Sequence, residues 1–254
     1  NTYNLCKPEI KEKGKSYFNC KGIRHPLIEQ LNTKELYVTN DIMLGMPEKE
    51  CGMLIYGTNA VGKTSLIRAL GICVIMAQAG LYVACNEMEY EPYTQIFTRI
   101  LGNDNIFKGL STFAVEMSEL RTILKYANEN SLILGDELCS GTETESATAI
   151  FMSGIKELHD KNASFIFATH FHEITDRSEI TELKQLGLKH MTVRYDKMRD
   201  ILIYDRLLKD GPGNSTYGLE VCKSLSMPED FLKRAYEIRM KYNQKEKDVL
   251  LKNI

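Results

Sequence analysis

Gly57-Thr58-Asn59-Ala60-Val61-Gly62-Lys63-Thr64 spells G-x-x-x-x-G-K-T, and the fold turns on how this octamer is read. Its glycines allow the backbone to wrap closely around a phosphate and aim N–H groups inward. The lysine brings a cation to the terminal phosphates, and the threonine hydroxyl is placed to ligate Mg²⁺. Such an octamer carries weight only between a buried strand and a helix. Met53-Leu54-Ile55-Tyr56 is a short apolar run ahead of it. Behind it, Ser65 to Ala79 carries Leu66, Ile67, Leu70, Val74 and Ile75 at helical spacing without proline. Strand, loop and helix follow in the required order. The N–H groups of residues 57–65, with a helix dipole behind them, are therefore expected to hold the phosphates of a nucleotide.

Further along, Ser131-Leu132-Ile133-Leu134-Gly135-Asp136-Glu137 is an apolar strand ending in two acids, and Ser164 to Thr169 is another that ends at His170. Helices alternating with fully apolar strands predict an α/β fold, with a mainly parallel sheet covered on both faces. Ligands of such sheets collect at the carboxyl ends of the strands, which would bring Asp136, Glu137 and His170 to the phosphate loop. Asp136 is expected to hold Mg²⁺ together with Thr64, and Glu137 to orient or deprotonate the attacking water. His170 would hydrogen-bond the γ-phosphate or that water. The plain alternatives are a helix-capping acid pair and a strand-end histidine bonded to a backbone carbonyl. His172 reads as solvated, and His25, His159 and His190 as structural.

The remaining pattern is less sharp. Residues 1–50 are mixed, with Pro8, Pro26 and Pro47 and strand candidates at Tyr17–Cys20 and Leu36–Val38. Glu87 to Gly109 is rich in turn formers and polar residues. Ser111-Thr112-Phe113 opens a helix with Met117, Leu120, Leu124 and Ala127 on one face. Thr142-Glu143-Thr144-Glu145 carries a capping-box signature for the next helix. Met191 to Leu208 alternates as a hairpin, and after Gly211-Pro212-Gly213 the run Ser226-x-x-Glu229 is expected to cap a last long helix with a charged tail.

Composition sets outer limits. With 254 residues, 43% hydrophobic and 26% charged, the chain is an ordinary globular one, large enough for a well-buried core. A net charge of −2 advertises no nucleic-acid surface, so any DNA contacts are expected on parts outside this chain. Seven cysteines without a C-x-x-C pair suit buried thiols in a reducing, intracellular compartment rather than a metal site. The most apolar stretch, Leu66 to Cys85, contains Arg68 and Gln78 and is a poor membrane span, so no membrane partner is expected. Starting at Asn1 without a signal or transit segment, the chain reads as a piece of a longer protein.

Taken in order, these motifs resemble the MutS DNA mismatch-repair ATPases, relatives of the ABC-type ATPases. Asn59 is similar to the Asn of the MutS phosphate loop, and Ser111-Thr112-Phe113-Ala114-Val115-Glu116-Met117 to its S-T-F-x-V-E-M segment. Asp136-Glu137 with Ser140-Gly141-Thr142 resembles the D-E-x-x-x-G-T run, and Ala168-Thr169-His170-Phe171-His172-Glu173 the A-T-H-[YF]-x-E switch. Arg24-His25-Pro26 and Tyr217-Gly218-Leu219 fit on either side, so the resemblance covers about residues 17–240. Tyr56 to Lys63 and Met76-Ala77-Gln78-Ala79-Gly80 look closest to the branch of giant viruses and octocoral mitochondria. The loop departs from the commonest family form, which has Pro at the place of Thr58 and Gly at that of Val61; neither position lends a side chain to the phosphates.

The resemblance implies a P-loop NTPase of the ABC-ATPase type over residues 1–210, with a leading adenine-contacting part in residues 1–50. It implies a helix–turn–helix dimerisation element and charged helical tail over residues 211–254. Tyr37 would stack on adenine, and Ser111 would reach across a dimer to the γ-phosphate on the partner. The cofactors implied are ATP or ADP and Mg²⁺. The partners implied are a second copy or a MutS-like heterodimer subunit, mismatched or damaged DNA bound by domains outside this chain, and downstream repair factors. The location would be cytoplasmic, in a viral factory, or mitochondrial. Phe171-His172-Glu173 spells the family's F-x-E mismatch wedge, but beside a catalytic strand end it is read as coincidence. Two other functions stay open at this point: an ABC-type ATPase of another branch, although L-S-G-G-Q is absent before the acidic strand, and an ATP-gated dimerisation module with negligible turnover.

Overall fold

A computed structural model describes residues 4–31, 36–58, 60–100, 112–139, 142–196, 198, 201–213 and 218–252. The first half of the chain forms β1 (Glu9–Ile10), β2 (Tyr17–Ile23), α1 (Pro26–Leu31), β3 (Asn40–Leu44), β4 (Gly52–Tyr56), α2 (Lys63–Gln78), β5 (Glu87–Glu91) and β6 (Gln95–Arg99). The second half forms α3 (Thr112–Tyr126), β7 (Ser131–Asp136), α4 (Thr144–Asp160), β8 (Ser164–Ala168), a 3₁₀ turn at His172–Ile174 and α5 (Ser178–Thr181). It continues through β9 (Leu186–Asp196), β10 (Ile201–Asp210), α6 (Gly218–Ser224) and α7 (Glu229–Lys252). Contacts divide the chain into two compact units, residues 1–192 with 206–213, and residues 193–205 with 214–254.

The first unit is built on a sheet of order β10-β9-β4-β8-β7-β6, in which β4 pairs in parallel with β8 and β9, and β7 with β6 and β8. Every residue of β4, β7 and β8 is buried, as a strand covered on both faces requires. Alternate side chains divide between the faces. Leu54, Tyr56, Ile133, Phe165 and Phe167 join a core with Leu120 and Ile123 of α3 and Phe151, Ile155 and Leu158 of α4. On the opposite face Leu134 meets α2 so closely that a Cβ on Gly71 would stand 2.9 Å from its Cδ1. Phe151 meets the edge of Phe167 with centroids 5.8 Å apart and Phe171 at 5.5 Å, contacts of the kind that add about 0.5–1.5 kcal/mol beyond area burial. Phe171 is thus spent on packing, which agrees with reading F-x-E as coincidence.

A smaller sheet of order β1-β5-β2-β3 completes this unit, with β2 antiparallel to both β3 and β5. Asn40 ties it to β10: its side chain donates to Arg206 O (3.0 Å) and accepts from Leu208 N (2.7 Å).

Several local expectations are corrected. Leu36–Val38 is not a strand; the partner of β2 is Asn40–Leu44, whose Ile42 and Leu44 alternate inward, while Leu36 is 97% exposed. Of the turn-rich stretch Glu87 to Gly109, residues 101–109 lie outside the described residues, and the rest is not simply turn: in β5, Met88 and Tyr90 point inward between solvent-facing glutamates, and β6 is the polar-diluted edge of the main sheet. The capping box before α4 does not form, since the N-cap is Glu143 and its carboxylate takes the Thr142 and Ser146 hydroxyls instead of a backbone N–H. Ser226 has a left-handed backbone and its N–H goes back to Lys223 O, as the close of α6; α7 begins only at Glu229. Ile75 of α2 is 55% exposed, whereas Leu66, Ile67, Leu70 and Val74 are buried as expected.

In the second unit α6 packs on the first turns of α7. Tyr236 Oη donates to Glu220 Oε1 (3.3 Å), Arg239 reaches the same oxygen (3.5 Å) and stacks over the Tyr236 ring, and Leu232 is buried.

Candidate nucleotide site

The carboxyl ends of β4, β7 and β8 meet at one edge of the sheet, and each delivers part of the site. After β4 the chain turns through Gly57 at φ 144° and Gly62 at φ 113°, backbone conformations that glycine adopts at little cost. Val61 is fully buried against Gly57, anchoring the loop from within. α2 then starts at Lys63, so its free N–H groups face the loop.

Lys63 is only 5% exposed, and its ammonium donates to the carbonyls of Gly57 (2.6 Å) and Thr58 (3.1 Å). Burial lowers its pKa below the ordinary lysine value, with the Glu137 and Asp136 carboxylates pulling the other way. Thr64 Oγ1 donates to Asp136 Oδ2 at 2.5 Å. Asp136 is 4% exposed, and its second oxygen, Oδ1, is buried without a hydrogen-bond partner among the described residues. A carboxylate oxygen and a hydroxyl with an unspent buried oxygen beside them make a hard-donor set that fits Mg²⁺.

β7 ends at Asp136, and the next residue breaks away. Glu137 has φ 51° and Cys139 φ 68°, both left-handed. The turn is pinned by Glu137 N donating to Ala168 O (3.0 Å) and Cys139 N donating to Glu116 Oε2 (3.1 Å). It aims Glu137 at the end of β8, where Glu137 Oε1 lies 2.7 Å from His170 Nε2. His172 is not simply solvated: its ring lies 4.8 Å from that of Tyr56, and burial lowers its pKa, with His170 adding to the shift.

Two adjoining clefts follow the loop. One, of about 310 Å³, is lined by Thr58, Lys63, Thr64, Asp136 and Glu137. The other, of about 130 Å³, is lined by Tyr37, Val38, Asn40, Leu66, Met191 and Arg206. Ala60, Gly62 and Ser65 border both. Tyr37 is half-buried there, and burial raises its pKa. A cleft holding a buried lysine and two carboxylates, next to one with a tyrosine wall, matches the two ends of a nucleotide. The structure thus brings together Tyr37, Gly57, Thr58, Ala60, Val61, Gly62, Lys63, Thr64, Ser65, Asp136, Glu137 and His170. Asn59 and Ser111 lie outside the described residues.

Comparison with known proteins identifies the architecture. Residues 53–243 match MutS domain V, a P-loop ATPase domain. The chain belongs to the MutS family. It is 41% identical over 232 residues to the mitochondrial DNA mismatch repair protein MutS homologue of Sarcophyton glaucum, covering 91% of this chain and 23% of that protein. A DNA mismatch repair MutS homologue of Acanthamoeba polyphaga mimivirus is 38% identical over 272 residues, covering 93% and 24%. The DNA mismatch repair protein MutS of Chlorobium phaeobacteroides is 34% identical over 249 residues, covering 97% and 28%. The chain therefore spans about a quarter of the length of the relatives it matches. An ABC-type ATPase of another branch is set aside, and the octocoral and giant-virus likeness stands. All seven cysteines of this MutS-family chain are free thiols, five of them buried. Among the described residues no helix is long and apolar enough to cross a membrane.

The sequence reading missed Glu116 and Arg99. Glu116 is fully buried, with Oε1 on Arg99 Nη2 (3.1 Å) and Oε2 on Cys139 N. An acid on the same helical stripe as Leu120, Ile123 and Ala127 was the available signal, because a carboxylate enters a core only when paired.

Proposed function

We propose that this chain binds ATP as its magnesium complex and hydrolyses it, as the ATPase part of a DNA mismatch-repair protein. The observation that carries the proposal is Asp136 Oδ1, a buried carboxylate oxygen without a partner, beside Thr64 and across from Lys63 in a phosphate loop. The N–H groups of residues 57–65 and the Lys63 ammonium hold the phosphates, and Tyr37 stacks on the base. Thr64 and Asp136 hold Mg²⁺, which when bound neutralises charge on the phosphate oxygens. Glu137 accepts a proton from the attacking water, and His170, at hydrogen-bond distance from Glu137, fixes the carboxylate and senses the γ-phosphate.

Residues 1–210 form the ATPase domain and residues 211–254 a dimerisation element, so that two copies, or this chain and a related subunit, enclose ATP between them. Ser111 completes the partner's site. Nucleotide state is passed to a DNA clamp formed by parts outside this chain; the relatives' names, DNA mismatch repair proteins, support a role in that repair. The free thiols suit a reducing compartment, cytoplasmic or mitochondrial.

Steady-state Mg-ATPase activity over a wide range of protein concentration tests both halves of the proposal. A per-subunit rate that climbs with concentration is expected of a site shared between subunits. A flat nonzero rate removes the trans role of Ser111. Binding without turnover at any concentration would instead make this an ATP-gated assembly module.

A further inference from the structure

We infer that Glu116 is a positioning residue for hydrolysis, setting the aim of Glu137 through the backbone N–H of Cys139. The inference rests on Glu137 being the acid that activates water. Residues 137 and 139 both hold left-handed backbone without being glycine, a conformation unfavourable for an L side chain, so the surroundings must hold the turn in place. On one side the hold is Glu137 N on Ala168 O, a strand-end contact. On the other it is Cys139 N on Glu116 Oε2, a charge-assisted bond inside the core.

Glu116 is itself held. Its other oxygen takes Arg99 Nη2, Arg99 is 7% exposed, and Arg99 Nε also reaches Glu119 Oε2 at 3.2 Å. Arg99 closes β6 directly opposite Gly135, one residue before Asp136. The pair thus joins the end of β6, the first turns of α3 and the turn after β7 at one corner. A buried ion pair is weak evidence for stability as such, since an apolar pair often does as well. What an apolar pair cannot supply is the acceptor for Cys139 N–H, and this points to aim rather than stability as the use of Glu116.

Three changes separate the roles, each followed by the affinity for a fluorescent ATP analogue with Mg²⁺ and by the single-turnover rate with ATP. Glu116→Gln keeps an oxygen for Cys139, and Glu116→Met offers none. Glu116→Met is expected to bind the analogue within about threefold of the parent but to hydrolyse ATP at least about tenfold more slowly, with Glu116→Gln in between. In a Glu137→Gln background the same methionine should cost no further rate, because the group it aims is gone. If Glu116→Met does not fold, Arg99→Met/Glu116→Met replaces the whole pair and carries the same expectations. Undiminished rate in the Met variants, equal loss of affinity and rate, or an undiminished effect in the Glu137→Gln background each overturns the positioning role. Parental hydrolysis in Glu137→Gln alone would instead unseat Glu137 itself, and Glu116 with it.

Discussion

Replacing Lys63 with methionine separates what the ammonium does for a ligand from what it costs the fold. Burial holds the Lys63 pKa below the unfolded value. In the alkaline window between the two values the unfolded chain binds the proton more tightly, so stability there rises with pH, and Lys63→Met should abolish that rise. At neutral pH the substitution removes a desolvation cost and also two charge-assisted bonds, to Gly57 O and Thr58 O. These effects oppose each other, so the fold should change by no more than about 1 kcal/mol.

The ligand side is different. Mg-ATP at about a hundred times its Kd should stabilise the parent by about 2.7 kcal/mol, which in a domain of this size raises Tm by about 5–11 °C. Loss of a charged contact to phosphate costs about 1.5–3 kcal/mol of affinity, leaving at most about half of that stabilisation at the same nucleotide concentration. Thermal unfolding with and without Mg-ATP, at neutral and at alkaline pH, measures every part. A nucleotide-induced shift as large in Lys63→Met as in the parent would refute the phosphate-loop assignment. A collapse of the fold without ligand would show the ammonium to be structural.

Glu137→Gln should keep Mg-ATP affinity while losing at least about 1.4 kcal/mol of transition-state stabilisation, a tenfold slower single turnover; an unchanged rate removes it from the mechanism. Tyr37→Ala should weaken nucleotide binding by about 1–3 kcal/mol in a titration and leave the rate at saturation alone, whereas unaltered affinity would place the base elsewhere. Gly135→Ala would set a Cβ 2.2 Å from Phe167 Cδ1 and Cε1, so overpacking of about 1–3 kcal/mol should lower Tm, with partial recovery when Phe167→Leu is added. An unchanged Tm would mean that β7 and β8 have slack next to Asp136.

The central part of this fold was legible because its signals are local and steep. β4, β7 and β8 are apolar throughout, α2 follows a glycine-rich loop, and the acids and His170 stand at strand ends, so topology alone carries them to one edge. The smaller sheet was hidden because β5 alternates glutamate with Met88 and Tyr90, and its partners lie far along the chain. Leu36–Val38 misled for a related reason: Tyr37 and Val38 line a cleft and Leu36 faces solvent, so the run pairs with no strand. Glu116 and Arg99 escaped because a buried ion pair between two elements has no periodicity of its own. Nothing in the spacing of positions 99, 116 and 139 says that they meet.

Most polar groups at the strand ends satisfy one another: Lys63 with two carbonyls, Thr64 with Asp136 Oδ2, and Glu137 with His170. Among the described residues, Asp136 Oδ1 has no hydrogen-bond partner; the nearby Thr58 Oγ1 and Tyr56 Oη also lack one, but neither is a carboxylate. A buried acceptor without a donor costs about 1–3 kcal/mol, and more when it is charged, so folding alone gives no reason to keep an aspartate there. A hard cation supplies one, since it needs an anionic oxygen where a carboxamide offers only a neutral oxygen and an N–H₂. Asp136→Asn should therefore leave the protein as stable as the parent, or more so, when melted in EDTA. It should also bring the ratio of nucleotide affinity with Mg²⁺ to that with EDTA down towards one. A parental ratio would show that the cation is held elsewhere. A marked loss of stability in EDTA would show that the carboxylate serves the fold, and the case for a metal at Oδ1 would fail with it.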